Sequence, residues 1–422
     1  MTQRNSFMLS RRSALALSLG AVGAAFMGCS SSDSAIADGK AVNFTSWVFG
    51  TSGAGPTNEA VNRFEQRSGI AVRTRSYPYE QYLNQLVLKS RSGNASGLVH
   101  IDEEWMSTLV TAGVLADIGP LVDTARYPDF VRAAGTYRGT RYAIPWTQSA
   151  IGIVSNAGLC QQFGVDIGTI RTIDSFTQAL RTIKRAEPSL IPYLPCTDVT
   201  QLKDILPWMW AFGSPILTDG TLTLGDEGSV QAVEYWKMLI DEGLIQAGII
   251  RDDARTLFGQ QRAVFYDDAP QAIGVVPKRA SDPDIADKMR PIARPARDGL
   301  GHNLVWSQPL VALSEGPAVE ALMQYMSTDE AALQIMFEEA GQPPATVQAL
   351  ESSWFSNNGF YTDWNAVVAP ASRVNPLWSF PKATAAQQHF DECIEAALGG
   401  TVPVSQALRD AKEGLQEQLG TE

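Results

Sequence analysis

The chain has 422 residues, 45% apolar and 18% charged, a globular composition long enough for two or more lobes with hydrophobic cores. Net charge is −12, and the three arginines before Cys29 leave 30 of the 33 bases to face 45 acids in the remainder. So acidic a body excludes electrostatic binding to nucleic acid or to an anionic membrane surface.

The N-terminus reads as an export signal. Arg4, Arg11 and Arg12 form a basic region, and Ala14 to Met27 is apolar but shorter than the roughly 20 residues a spanning helix needs. Ser10-Arg11-Arg12-Ser13-Ala14-Leu15 resembles a twin-arginine signal, and Phe26-Met27-Gly28-Cys29 resembles a lipobox with Phe26 in the usual Leu place. We therefore expect residues 1–28 to be removed, Cys29 to carry lipid, and residues 29–40 to be a flexible polar tether. A cleaved secretory signal with an incidental cysteine is the alternative. Cys160, Cys196 and Cys393 match no zinc spacing and are expected as small buried apolar residues; whether any two pair is open.

Strand and helix signals then alternate. Val42 to Trp47 predicts a strand, and a helix follows with Pro56 at its entry, Ala60, Val61 and Phe64 on one face and Gly69 as stop. Ile70, Val72 and Thr74 predict a second strand. Tyr79, Tyr82, Leu83, Leu86 and Val87 predict a helix ended by Gly93. Leu98 to Ile101 predicts a short strand before the acidic turn Asp102-Glu103-Glu104 and a helix through Trp105 and Leu109. Tyr142 to Trp146 and Ile151 to Val154 read as two strands. Phe176, Leu180 and Ile183 mark a helix, and so do Val230, Val233 and Leu239 before Gly243. Ala263 to Tyr266 reads as a strand ending in Asp267-Asp268. Ser327-x-x-Glu330 predicts a capping box for a helix through Leu333 and Phe337, and Val404, Leu408, Ala411 and Leu415 close the chain as a helix behind Pro403. Repeated units of this kind predict an α/β fold with parallel sheet covered by helices.

These segments resemble, in order and spacing, the extracellular solute-binding proteins of ABC importers of the maltose-binding-protein type. The resemblance rests on Asn62-Arg63-Phe64-Glu65 to Val72, on Leu109 to Leu121, on Tyr137 to Trp146, on Phe258 to Phe265, and on Gly399-Gly400-Thr401 to Leu408. Ser96-Gly97 depart from it where the family often has Ala-Pro-Asp. The resemblance implies a two-lobed periplasmic-binding-protein fold with a ligand cleft between lobes joined by crossover strands. It implies lobe 1 as 41–146 with 292–350 and lobe 2 as 147–291 with 351–422. It further implies a monomer on the outer face of the cytoplasmic membrane, held there by the lipid and serving importer permease subunits, with no cofactor.

A sugar site needs carboxylates and amides for hydroxyls and flat rings for apolar sugar faces. Among ten tryptophans, Trp47 and Trp146 lie at predicted strand ends, Trp306 in a strand-like stretch, and Trp208 and Trp378 behind prolines in expected loops. The resemblance puts these five near the cleft, whereas Trp236 lies mid-helix and is expected in the core. Asp102, Glu103, Glu104 and Asp268 are the acidic candidates, with one acid of each cluster expected to touch ligand, and all on polar turns that keep them ionised. Gln148 and Gln201 are amide candidates, and Arg373 is a clamp or a partner for an acid. The expected ligand is a mono- or oligosaccharide.

Enzyme signatures are absent from the sequence: His100, His302 and His389 have no metal-ligand spacing, and there is no nucleophile elbow or phosphate-binding loop. Two carboxylates across the cleft acting as a glycosidase pair are the enzymatic alternative. A glycerophosphodiester, cradled by the Gly50-to-Gly55 loop ahead of the Pro56 helix, is the alternative ligand.

Overall fold

The computed structural model describes residues 38–419 apart from Ser52, Ala133, Ala134 and Leu300. Cys29, the export signal and most of the tether lie outside the described residues. Among those described, no helix is long and apolar enough to cross a membrane.

The sheet begins with the strand Ala41–Thr45, which pairs in parallel with Ala71–Arg75 on one side and Leu98–His100 on the other. Parallel pairing requires crossovers, and the helices Gly55–Ser68 and Tyr79–Arg91 supply them. The first enters at Pro56, buries Ala60, Val61 and Phe64, and ends where Gly69 takes a left-handed φ of 71°. Gly97 is the other glycine whose place is fixed. Its φ is 89°, and a Cβ there would meet the Asn43 carbonyl oxygen at 2.3 Å, so the departing Ser96-Gly97 segment lets the third strand lie flush against the first.

Two long antiparallel strands join the lobes. Ala143–Asn156 is one continuous strand of 14 residues, where the sequence suggested two, and it pairs with Asn303–Ala312 from Ile151↔Leu304 to Ala143↔Val311. All 14 of its residues are buried. A strand covered on both faces shows no alternation, and the polar run Thr147-Gln148-Ser149 concealed its middle. Its far end pairs with Phe265–Asp268 and Met289–Ile292, and Phe265–Asp268 pairs in parallel with Tyr193–Leu194. The order across the sheet is 71–75, 41–45, 98–100, 303–312, 143–156, 265–268, 193–194.

Distinct cores lie at the two ends of this sheet. Phe44, Phe64, Leu98, Trp146, Leu310 and Met326 pack together at one end, while Phe176, Leu180, Trp208, Trp236, Phe265 and Phe390 pack at the other. The helices Ile173–Ala186, Glu227–Asp241, Ala383–Leu398 and Val404–Leu419 surround the second core. One expected cap is different. Ser327 belongs to the preceding helix Pro317–Thr328, where its hydroxyl donates to the Met323 carbonyl at 2.7 Å. Asp329 caps Glu330–Ala340 instead, accepting from the amides of Ala331 and Ala332.

The second core contains a fully buried ion pair. Asp267 accepts from Arg294 and from the Tyr193 hydroxyl, while Arg294 also donates to Asn303 Oδ1 at 3.3 Å. The Trp208 indole N–H donates to Tyr193 at 3.2 Å and completes the network. Asp267→Ala, which leaves the Arg294 charge buried without its counter-ion, should cost about 3–5 kcal/mol of stability in urea denaturation. The double change Asp267→Ala with Arg294→Met should recover part of that loss, whereas equal losses in both variants would show the pair is not the source.

Candidate functional site

A cleft of about 410 Å³ lies between the lobes where the two long strands cross. Its floor is strand: Ile151 comes from 143–156, and Trp306, Ser307 and Gln308 come from 303–312. One wall is the turn after Leu98–His100, bearing Asp102, Glu103 and Glu104, with Tyr79 beside it at the start of its helix. The opposite wall carries Gln201 and Lys203 from Val199–Ile205, Arg251 and Arg255 from one face of Arg251–Gly259, and Asp268 with Gln271 after it. A second chamber of about 540 Å³ adjoins it, and Glu103 and Trp378 line both.

Charges in this cleft fall into two sets. The cations are held by carboxylates: Lys203 Nζ lies 2.9 Å from Glu104 across the cleft, Arg251 2.8 Å from Asp204, and Arg255 grips both oxygens of Asp268 at 2.7 and 2.8 Å. Burial works against the charge on Lys203, but Glu104, with Asp102 and Asp204 adding to it, holds its pKa above the usual lysine value. Asp102 and Glu103 form the other set. Asp102 accepts from the Tyr79 hydroxyl and from Gln308 Nε2 at 3.1 Å, both neutral donors. Burial, with the Glu104 charge added, raises its pKa to about 6. Glu103 is only 9% exposed, its Oε2 has no hydrogen-bond partner, and burial raises it to about 7 against the opposing pull of the Ser307 hydroxyl. The sequence placed these acids on a polar turn and expected them ionised. The correction follows from packing, because the turn is a short 3-10 helix, Glu103–Trp105, laid against the crossing strands with Trp105 in the core. Coiled this way, all three acids line the cleft rather than one.

The tryptophans divide. Trp306 and Trp378 line the cleft half-buried, and Lys203 Nζ sits 5.7 Å above the Trp378 ring. Trp146 is in the first core, edge-on to Phe44 and His100, because inward and outward side chains alternate along its strand. Trp208 is in the second core: Pro207 begins the helix Leu206–Ala211, which carries the indole onto Phe176. Trp47 stands one layer behind the wall, stacked on His100 at 4.0 Å and edge-on to Tyr79, Tyr82 and Trp105. Arg373 is exposed on the short strand Ser372–Arg373 and lines neither chamber, because its strand pairs with the start of 303–312, away from the cleft.

Gln148, on the crossing strand, lines the second chamber with its Oε1 unpartnered. Gln201 lines the cleft, but its Oε1 already accepts from the Arg251 amide at 2.8 Å. Sequence reasoning missed Tyr79, Lys203, Arg251, Arg255, Gln271 and Gln308. Arg251 and Arg255, one helical turn apart on a short amphipathic segment, were the available signal. The described cysteines Cys160, Cys196 and Cys393 are free thiols, and no cluster among the described residues has the makings of a metal site.

The Glu103 environment has a measurable consequence. Unfolded, its carboxyl ionises near the ordinary 4.5, whereas the folded state retains the proton to about 7. Between those values the folded state binds more protons, so stability falls as pH rises. Urea denaturation of the unliganded protein should show wild type losing on the order of 3 kcal/mol relative to Glu103→Gln between pH 4.5 and 7. Parallel pH curves for the two proteins would mean that Glu103 is solvated rather than buried.

The fold is widely shared. The chain superposes on the maltose-bound MalE3 of T. maritima with a TM-score of 0.78 at 18% identity, covering 89% of this chain and 99% of that one. The GacH receptor of Streptomyces glaucescens, solved unliganded and with acarbose, gives 0.80 at 17% over 90% and 98%. The sugar-binding MalE of Xanthomonas citri gives 0.77 at 17% over 90% and 97%. In sequence, proteins of Brucella abortus and Brucella suis named as binding proteins are 24% identical over 239 residues, 51% of this chain and 55% of theirs. The chain thus spans about half the length of these curated relatives. The sequence profile of bacterial extracellular solute-binding proteins matches residues 59–362, from the first crossover helix through both long strands to the helix Gly359–Val367. With two lobes, a pair of crossing strands and a cleft between them, the chain belongs to the bacterial extracellular solute-binding proteins.

Proposed function

We propose that the protein captures a carbohydrate by lobe closure and delivers it to the permease of an ABC importer, tethered to the outer face of the cytoplasmic membrane by lipid on Cys29. The observation that carries this reading is the composition of the cleft. Trp306 and Trp378 offer flat faces, and Asp102, Glu103, Gln148 and Gln308 offer edge hydrogen bonds around them. That pairing suits a molecule with apolar C–H faces and a rim of hydroxyls. The structural neighbours with maltose and acarbose bound support the same class. The Lys203–Glu104 pair spans the cleft and favours the closed arrangement.

The alternatives have less support. A phosphodiester would meet more acids than free bases, and none of the described residues of 50–55 lines either chamber. A glycosidase needs one protonated and one ionised carboxyl flanking the bond. Glu103 meets the first condition, but both oxygens of Asp268 are committed to Arg255.

A screen of neutral and charged oligosaccharides by thermal shift, followed by calorimetry and mass spectrometry of the recovered ligand, tests the reading. Trp306→Ala and Trp378→Ala should each weaken binding by about 1–3 kcal/mol without lowering stability, with the ligand recovered intact. Trp146→Ala and Trp208→Ala should instead cost about 3–5 kcal/mol of stability. Unchanged affinity in both cleft variants, or catalytic cleavage of the ligand, would overturn the proposal. Separately, Cys29→Ala should move the protein from the membrane to the soluble fraction, and a variant still firmly membrane-bound would end the lipoprotein assignment.

A further inference from the structure

We propose that Glu103 and Asp102 form a cation subsite in the cleft, and that the captured carbohydrate carries a protonated amine. The inference rests on the carbohydrate reading and narrows it to amino sugars.

The argument begins with how the charges in the cleft are paired. Lys203, Arg251 and Arg255 each have a carboxylate at 2.7–2.9 Å, which accounts for Glu104, Asp204 and Asp268. Arg255 also reaches Asp252 at 3.1 Å. Arg138, on the rim of the second chamber, lies over the Tyr137 ring. Glu103 is left with a neutral neighbour, Ser307, while Asp102 accepts from the neutral Tyr79 and Gln308 and shares the attraction of Lys203 with Glu104, so neither has a cation of its own. Carboxylates removed from water are ordinarily paired with a cation or a metal, because the desolvation of an isolated charge is not otherwise offset.

Geometry adds an independent observation. Glu103 is closed from solvent on the protein side, yet it lines both chambers and its Oε2 has no partner. Two more acceptors around the same space, Gln148 Oε1 and Gln271 Oε1, are also buried without donors. The Trp378 indole N–H and the Ser307 hydroxyl are also unpartnered, so the space can meet an acceptor as well, but its unpaired charge is negative and calls for donors that carry positive charge. An ammonium group supplies three N–H donors and a full charge, whereas a sugar hydroxyl supplies one donor and none. The Tyr79 ring, 44% exposed at the mouth, presents a π face that attracts a cation further, as the Trp378 ring does for Lys203. An anionic ligand would bring acceptors to a cleft already oversupplied with them.

Calorimetry on the purified full chain tests this with four probes: glucosamine oligomers, their N-acetylated forms, neutral glucose oligomers and spermidine, at a pH where the amines are protonated. Glucosamine oligomers should bind roughly tenfold or more tighter than either neutral series. Glu103→Gln should remove that advantage, bringing the ratio of glucosamine-oligomer to neutral-oligomer affinity to about one whatever it does to the neutral series alone. Removing an unpaired buried charge should not harm folding, and Asp102→Asn gives a second, milder variant. Neutral oligomers binding as well as the amines, no binding by any amino sugar, or an advantage surviving Glu103→Gln would overturn the inference, the first of these leaving the carbohydrate reading intact. Binding of spermidine with no sugar bound would do the reverse, keeping the cation subsite and ending the carbohydrate reading.

Discussion

The cleft depends on the antiparallel register between Ala143–Asn156 and Asn303–Ala312. Each strand begins in one core and ends in the other, so its central residues are fixed to both lobes. Side chains alternate across a strand, so Trp306 and Gln308 share one face. A slip by one residue would turn both to the other face of the sheet. The register shifts between Gln308 and Pro309, opposite Thr147 and Pro145, where proline has no N–H to offer the ladder. Thr147 compensates from its own strand by donating to the Pro343 carbonyl at 2.7 Å, which ties the segment after Glu330–Ala340 to the crossing. Sliding of one lobe past the other would break the whole ladder, so any hinge in this pair of strands lies at their ends.

Helices with a clean apolar stripe were legible in the sequence, because the signal and its cause are the same burial. Gly55–Ser68 and Ile173–Ala186 are such cases. Legibility failed where two local solutions compete. Ser327 and Asp329 can each cap a helix, but Ser327 also bonds backward to Met323 and extends the helix before it, leaving Asp329 the two free amides. Pro207 suggested a loop, yet at a helix start its missing N–H costs nothing, so Trp208 went to the core.

The candidate site was legible in position and illegible in environment. That acids follow Leu98–His100 is plain in the chain. That Glu103 is buried depends on segments two hundred residues away, since Ser307 lies on the strand that covers it. Asp267 and Asp268 illustrate the same limit. Adjacent in sequence and both buried, one is locked to Arg294 inside the second lobe and the other to Arg255 at the cleft wall. Nothing local distinguishes them, because period-two alternation says they differ but not which one faces ligand.

The two lobes bring unlike electrostatics to the cleft, and this bears on what it can hold. The second lobe pairs Arg251 and Arg255 with its own Asp204 and Asp268, and it presents Lys203 to the opposite wall. The first lobe presents three carboxylates: Glu104 pairs with Lys203, Asp102 is drawn to the same ammonium, and Glu103 has only the Ser307 hydroxyl to set against its burial. The Lys203–Glu104 pair already spans the two walls, so what the cleft lacks is a donor for Glu103, which lies desolvated with its Oε2 unpartnered. A ligand that donates to Glu103 and Asp102 would offset that desolvation, and its binding energy would favour whichever arrangement of the walls lets it reach both.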